Sequence, residues 1–342
     1  MLNSQQSIGN RLVNSIGSLL LGVLVFIGSF VLLYMGEMRT DYSPVAKNAV
    51  EITEAKQDGD FVYLTGDLKA QQMLSDGLYL KQGDYIAVER IVEMYAWSED
   101  SDTTSNDMTI YSYTPEWTES PQDSSSFDSE FGHENPEMKI RSERFQAKNV
   151  SVGDYLVDMG KVRLPAYEEL KIDETKVALG NYETLDSLDG KTYIYDGYAT
   201  VAEPEIGSIK ISYNVIPVGK EVTVFGKADG KEFSYHTGEN EKELYRMFYG
   251  TQDEALESLK GEYNMWGWIY KIIGFLVMWL GLAMILKPII GVITFVAALL
   301  LTLLTSFILG VLHSWVGIII LIIVVIGVGV FVNSMRSAKP QS

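Results

Sequence analysis

Glu93, Tyr95 and Glu116 are the residues whose types and spacing come nearest to chemistry in this 342-residue chain. They lie in aromatic stretches on either side of a polar insertion. Two carboxylates separated in that way can meet in a fold as general acid and general base. The chain carries 45 Asp and Glu, however, so such pairs arise without any catalytic purpose. The three histidines, His133, His236 and His313, are scattered and form no HExxH or comparable spacing. His133 sits in Gly-His-Glu-Asn-Pro and reads as part of a turn. There is no Gly-x-Ser-x-Gly elbow, P-loop or GxGxxG. Ser306 and His313 stand seven apart, two turns or about 10.5 Å on one helix, too far for a dyad. Asp100, Asp102, Asn106 and Asp107 are of calcium-ligating types. They lack the turn glycine and closing Glu of an EF-hand loop and read as a solvated acidic segment. With no cysteine, disulfides, thiol nucleophiles, Cys-ligated zinc and iron–sulfur clusters are excluded. The expectation is therefore no catalytic residue, no metal ligand and no cofactor, with a carboxylate enzyme around Glu93 and Glu116 as the alternative.

The elements that would position these residues follow from where the charge lies. Net charge is −18, yet 47% of residues are hydrophobic and mean hydropathy is +0.06. All 45 acidic residues fall between Glu37 and Glu262, with 22 of the 27 basic ones, so residues 37–263 carry −23 and the rest carries +5. Such an acidic chain does not suit nucleic acid.

Leu12–Gly36 is a run of 25 uncharged residues, enough to cross a hydrocarbon core of roughly 30 Å. Tyr34-Met35-Gly36-Glu37 is no signal-peptidase site, so an uncleaved anchor is expected. Met265–Leu286 is apolar apart from Lys271. Between Lys287 and Arg336 lie 48 residues without Asp, Glu, Lys or Arg, which suit two crossings turning at Gly310, His313 and Ser314. The spacing predicts four transmembrane helices, at 12–36, 265–286, 289–309 and 315–333, with tails at 1–11 and 334–342. Arg11, Lys287, Arg336 and Lys339 then favour cytoplasmic termini and an extracytoplasmic 37–263. Lys271 is expected to snorkel to the interface beside Trp266, Trp268 and Tyr270, with Trp315 matching them on the fourth helix. Ser18, Gly22, Gly274, Gly281 and Gly327 are expected to allow close helix packing, and Ser306 to face a helix interface.

Residues 37–263 are too many for a connector and form a domain. Period-2 and β-branched runs predict strands at Phe61–Leu68, Tyr85–Trp97, Thr109–Tyr113, Thr192–Ala199, Ile209–Val218 and Glu221–Gly226. Helical patterns occur at Tyr167–Lys176, Glu241–Phe248 and Asp253–Tyr263, the last running into the second membrane helix. Residues 98–109 and 118–138 read as acidic surface loops. Asp58-Gly59 and Asp189-Gly190 each precede a β-rich run, which suggests two β-subdomains from an internal duplication. The expected class is an α+β membrane protein with a strand-rich extracytoplasmic domain.

Several segments together resemble the transmembrane protein 43 (LUMA) family. They are Val92–Trp97, Tyr111-Ser112-Tyr113 with Glu116-Trp117, Gly132–Pro136, Gly207–Tyr213, Trp266-Gly267 and Leu301–Thr305. Their order and spacing cover nearly the whole chain. The resemblance implies four membrane helices, a large lumenal or extracytoplasmic loop and no established catalytic residues. It also implies a role in organising membrane protein complexes. The eukaryotic member lies in the endoplasmic reticulum and inner nuclear membrane, self-associates, and has lamins and emerin as partners. A shorter N-terminal tail and the absent cysteines point instead to a bacterial relative in the inner membrane, where no lamina exists. The leading expectation is a membrane scaffold or assembly protein whose partners are the bilayer, other membrane or envelope proteins, and a second copy of itself. An envelope sensor is a third reading, but the cytoplasmic parts leave little to transmit a signal.

Overall fold

The structure is a computed structural model, and it describes residues 2–54, 60–104, 108–234, 244–286 and 291–312. The chain divides into a helical unit, Met1–Pro44 with Glu257–Ser342, and a strand-rich unit, Val45–Leu256.

Fourteen strands are described. In chain order they are β1 (Val50–Glu51), β2 (Phe61–Ala70), β3 (Tyr85–Thr103), β4 (Thr109–Thr118), β5 (Glu143–Gln146), β6 (Val150–Val152), β7 (Tyr155–Val157), β8 (Glu168–Glu169), β9 (Glu183–Leu188), β10 (Lys191–Asp196), β11 (Ile209–Pro217), β12 (Glu221–Asp229), β13 (Glu232–Ser234) and β14 (Arg246–Tyr249). They form two seven-stranded sheets.

In the first sheet the pairing closes on itself. β2 runs antiparallel to β12, β6 continues along β2, β7 pairs β6, β13 pairs β7, and β13 returns to β12. β1 and β14 flank this ring on β2 and β12. Alternate residues, among them Val62, Leu64, Leu68, Val152, Val222 and Val224, fill one buried core, as a pleat with one face inward requires. Gly226 lies where two rings close in. A Cβ there would stand 3.0 Å from the Tyr245 ring and 3.1 Å from that of Phe233.

The second sheet stays open, in the antiparallel order β4-β3-β11-β10-β9, with β5 on β3 and β8 on β11. One face of β3 and β11 buries Val88, Val92, Met94, Ile209, Ile211, Tyr213 and Val215 in a second core. Asp189 (φ 53°) and Gly190 (φ 81°) make the two-residue turn between β9 and β10, the left-handed pair that a tight hairpin demands. That turn closes a hairpin in the open sheet, whereas the run after Asp58-Gly59 becomes β2 of the ring. Asp58 and Gly59 themselves lie outside the described residues.

The six predicted strands are present. Three other expectations are corrected. Tyr167–Lys176 contains β8 and turns rather than a helix, because Glu168 and Glu169 pair with Val215 and Asn214. Glu241–Phe248 contains β14, whose Met247 and Phe248 are buried along β12. Residues 98–103 continue β3 and are not a loop. They are held by cross-strand pairing from Met94↔Thr118 to Thr103↔Thr109.

The helical unit contains α1 (Leu2–Glu37) and most of α3 (Gln252–Leu286), with α4 (Gly291–Leu312); a short α2 (Ser43–Lys47) follows α1 in the chain. α3 begins at a capping box: Thr251 N–H donates to Glu254 Oε2 (2.8 Å), while the Glu254 N–H approaches Thr251 Oγ1 (3.5 Å). It then runs unbroken into the apolar segment, as expected. Leu20–Glu37 and Gln252–Ile285 are long and apolar enough to cross a membrane; Phe295–Val311 is a shorter apolar stretch.

α1 and α3 pack antiparallel along small residues. A Cβ would lie 2.8 Å from Met284 Cβ at Gly22, 2.6 Å from Phe26 N at Gly281, and 2.6 Å from Tyr270 Cβ at Gly36. Gly22, Ser29 and Gly36 recur every seven residues, as do Gly267, Gly274 and Gly281. That period keeps one seam facing its partner. α4 adds Ala298 to the core of Leu33 and Met278, and Thr302 Oγ1 donates to Met278 Sδ (3.7 Å). Helix α4 passes through Gly310 to Leu312, so Gly310 is not a turn. The segment 315–333, with Gly327, and the residues Lys287, Pro288, His313, Ser314 and Trp315 lie outside the described residues.

Candidate functional site

Beyond Met94, β3 and β4 leave the body of the open sheet as a two-stranded arm. Its other flank is closed by side chains. Tyr95 still pairs with β11's lead-in, its N–H donating to Ser208 O (2.9 Å) and its C=O accepting from Gly207 N (2.8 Å). At Trp97 the side-chain amide of Asn135 replaces a strand: Oδ1 accepts from Trp97 N (2.7 Å) and Nδ2 donates to Trp97 O (2.9 Å). The Gln122 amide does the same at Glu99, at 2.7 and 3.5 Å. The polar segment 118–138 is thus folded back on the arm.

On the same face, His133 stacks on Tyr113 (centroids 3.8 Å) and meets Trp97 edge-on (4.8 Å). His133 Nδ1 lies 3.0 Å from Ser129 O, an acceptor only, so that nitrogen carries the hydrogen. Tyr113 OH donates to Glu99 Oε2 (2.7 Å) and accepts from Ser129 N (2.8 Å). Desolvation and the bond to Glu99 hold the Tyr113 hydroxyl above its ordinary pKa. The turn expected at His133 is present, closed by its N–H on Glu130 O (2.9 Å), and it docks the imidazole on the arm. An open polar groove of about 710 Å³ runs beside it, between 119–124 and 135–142, lined by Glu119, Asp123, Glu137 and Arg141 among others.

The sequence-predicted carboxylates do not meet. Glu93 pairs across the sheet with Lys210, Oε2 to Nζ 3.0 Å, and the Lys210 side chain is only 9% exposed. Its ammonium also lies over the rings of Trp117 (4.7 Å) and Tyr193 (5.2 Å), so the cation and Glu93 are mutually satisfied. Glu116 stands opposite Ala96 and is exposed. Side chains alternate along a strand, so Glu116 and Glu93 point from opposite faces. Tyr95 packs on Trp117 (5.4 Å), on the Glu93 side.

A buried polar cluster that sequence reasoning missed lies in the second core. Asp76, its side chain fully buried, accepts backbone N–H groups of Leu78, Tyr79 and Leu80 on Oδ1 at 2.8–3.0 Å. Its Oδ2 accepts from Arg90 Nη1 (3.1 Å) and Tyr213 OH (2.7 Å). Arg90 donates further to Glu143 Oε2 (3.0 Å) and Arg141 O. Burial alone would raise the Asp76 pKa, but these bonds outweigh it and the net shift is downward. Burial and Asp76 push the Tyr213 hydroxyl far upward. Every group is paired, which makes this a clamp joining the 76–80 segment to β3 and β11.

The other candidates are spread out. Asp100 and Asp102 lie on β3 opposite Ser112 and Ile110. Asn106, Asp107 and His236 lie outside the described residues. Among the described residues no group of three His, Asp or Glu is placed to hold a metal ion. In the helical unit Lys271 does not reach out alone. Its Nζ is 3.0 Å from Glu37 Oε1 and lies over the Trp268 ring (5.7 Å). Trp266 and Trp268 are exposed beside it. Ser306 Oγ is buried, with no hydrogen-bond partner among the described residues.

A family model described as Transmembrane protein 43 matches residues 94–334. The chain is similar to "Transmembrane protein 43" of Homo sapiens, 24% identical over 313 residues, which covers 82% of this chain and 76% of the relative. Similarity to the Rattus norvegicus protein of the same name is 24% over 304 residues, 80% and 74% of the two chains. "Transmembrane protein 43 homolog" of Drosophila melanogaster is 28% identical over 244 residues, 62% and 61%. No solved structure matches. The resembling segments of the strand-rich unit, Val92–Trp97, Tyr111–Trp117, Gly132–Pro136 and Gly207–Tyr213, are those that build the arm and its root.

Proposed function

The chain belongs to the transmembrane protein 43 family, and from that premise we propose that it is a multi-pass membrane scaffold. It assembles other membrane or envelope proteins through its strand-rich domain and does so without catalysis. The observation that carries this reading is the arm. A two-stranded projection is held rigid by side-chain amides and aromatic stacking, and its Glu93 and Glu116 lie on opposite faces, Glu93 paired with Lys210. That construction offers a surface.

The reading carries a topology. Four crossings place Arg11, Lys287, Arg336 and Lys339 in the cytoplasm and the −23 domain outside it, in keeping with the positive-inside rule. The absence of native cysteine makes single-cysteine labelling direct. An impermeant maleimide should label Ser125→Cys and Ser314→Cys in intact cells and miss Ser342→Cys. Labelling of Ser342→Cys without Ser125→Cys overturns the orientation. Cross-linking in native membranes, followed by purification in mild detergent, should recover defined neighbours or a homo-oligomer. A monomer with no cross-linked neighbour overturns the scaffold reading.

A further inference from the structure

We infer that the outer edge of β4 is a docking strand for an extended segment of a partner protein that carries lysine or arginine at alternate positions. The inference rests on the assembly reading above and names where and what the domain binds. In an antiparallel ladder, residues turn both backbone groups alternately toward and away from the neighbouring strand, and directly opposed residues turn the same way. Tyr95, Trp97 and Glu99 spend both groups on the flank away from β4. Their alternation continues to Ser101. The residues opposite Glu99 and Ser101, which are Tyr113 and Tyr111, therefore turn N–H and C=O outward from β4. Among the described residues nothing pairs with those four groups. The next outward position is Pro115, opposite Trp97, which has no N–H to offer. The open edge is short, ends at a defined residue, and lies beside exposed apolar side chains: Ile110 is 54% exposed and Tyr111 is 40%.

Charge selects the occupant. From Ile91 to Met138 the sequence has twelve Asp and Glu and not one Lys or Arg. Two such arms laid edge to edge would set these charges against each other, so a second copy is the disfavoured guest. A strand added to β4 would present alternate side chains to the two faces of the arm. One face carries Glu116, with Asp100 and Asp102 one strand further in; the other carries the Tyr111 and Tyr113 rings. Lysine or arginine on the first face and apolar or β-branched residues on the second would satisfy both.

The test uses the full chain in mild detergent and a labelled peptide, Lys-Val-Lys-Val-Lys-Thr-Lys. The expected result is saturable binding that weakens with added salt, is absent for the Glu-for-Lys peptide, and falls at least tenfold in Tyr111→Pro. That variant removes an outward N–H and no ladder bond. Because Tyr111→Pro can misfold, amide exchange is read on the unmutated chain as well: Tyr111 and Tyr113 should slow when the Lys peptide is added. Lack of binding, unchanged exchange, or equal affinity in a folded Tyr111→Pro overturns the inference. A chain dimer that Tyr111→Pro dissociates overturns it too, and assigns the edge to a second copy. If native neighbours still cross-link to Tyr111→Pro as to the parent chain, the scaffold reading stands and the edge assignment falls. Peptide binding without any native neighbour has the reverse meaning.

Discussion

The two sheets have the same number of strands and treat their edges in opposite ways. The ring spends its edges internally. Its flanking strand β1 is two residues long, and the free side of β14 is taken by Arg163, whose N–H donates to Tyr245 O and whose C=O accepts from Met247 N, each at 3.0 Å. The open sheet has two outer strands, β4 of ten residues and β9 of six, and the cover it has comes one group at a time. Asp186 Oδ1 accepts the Ser187 N–H on β9 (2.7 Å), and Asn135 and Gln122 cover the free flank of β3. Unpaired strand edges invite association, so proteins blunt the ones they do not use. Along the arm, side chains cover the β3 flank while β4 is left bare up to a proline, which suits that edge for contact.

The difference extends to the cores, and the largest effects should show it. Both sheets bury an apolar core, but the open sheet's core also carries a buried ion pair. Phe233→Ala in the ring and Asp76→Ala in the open sheet should each cost about 3–5 kcal/mol, the first by a cavity and the second by stranding Arg90. Thermal unfolding of the full chain in detergent, followed by tryptophan fluorescence, measures both. Their pH dependence should separate them. The folded-state pKa of Asp76 is lowered, so its contribution is complete above the ordinary Asp value of about 3.9 and is lost as pH falls toward the folded value. Phe233→Ala should keep that acid sensitivity and Asp76→Ala should lose part of it. Identical acid profiles would mean that the clamp does not govern the open sheet.

These two kinds of core were unequally legible. The central strands were readable because one buried face imposes alternation: Val88, Val92 and Met94 on β3 announce themselves. Ser98–Thr103 announced nothing, because a strand without a buried face has no reason to alternate; pairing with β4 and the Gln122 amide at Glu99 keep it extended. β14 was mistaken for a helix because four residues are too few to establish a period. The clamp was invisible for a different reason. Asp76, Arg90 and Tyr213 are brought together by topology, 14 and 137 positions apart, and no local spacing records that. Glu37 and Lys271 in the helical unit are the same case, and there the snorkelling expectation saw one partner only. What could have been read and was not is the cation-free run from Ile91 to Met138.

A smaller effect tests the covered flank. Asn135→Ala removes both partners of the Trp97 backbone. Trp97 is only half-buried and can recruit water, so the cost should be about 1–2 kcal/mol. Amide exchange at Trp97 should rise about tenfold while the ring amides stay unchanged. Unchanged exchange at Trp97 would mean that another group shields this flank, and the contrast between covered and bare edges would weaken.

The smallest effect on stability is expected at Pro115, and it bears most directly on where the bare edge of β4 ends. Replacing it with valine leaves the ladder to β3 intact, because Pro115 already faces outward. The change loosens the unfolded chain and should cost only about 0.5–1 kcal/mol. It also restores an outward N–H next to the open pair at Tyr111 and Tyr113. One further backbone hydrogen bond contributes about 0.5–1.5 kcal/mol net, so the Lys-bearing peptide should bind Pro115→Val some two- to tenfold more tightly than the parent chain. The price of a longer bare edge should appear as self-association at high salt, where the carboxylates no longer hold two arms apart. A peptide affinity that ignores Pro115→Val would place the docking site away from the strand edge, in the polar groove between 119–124 and 135–142.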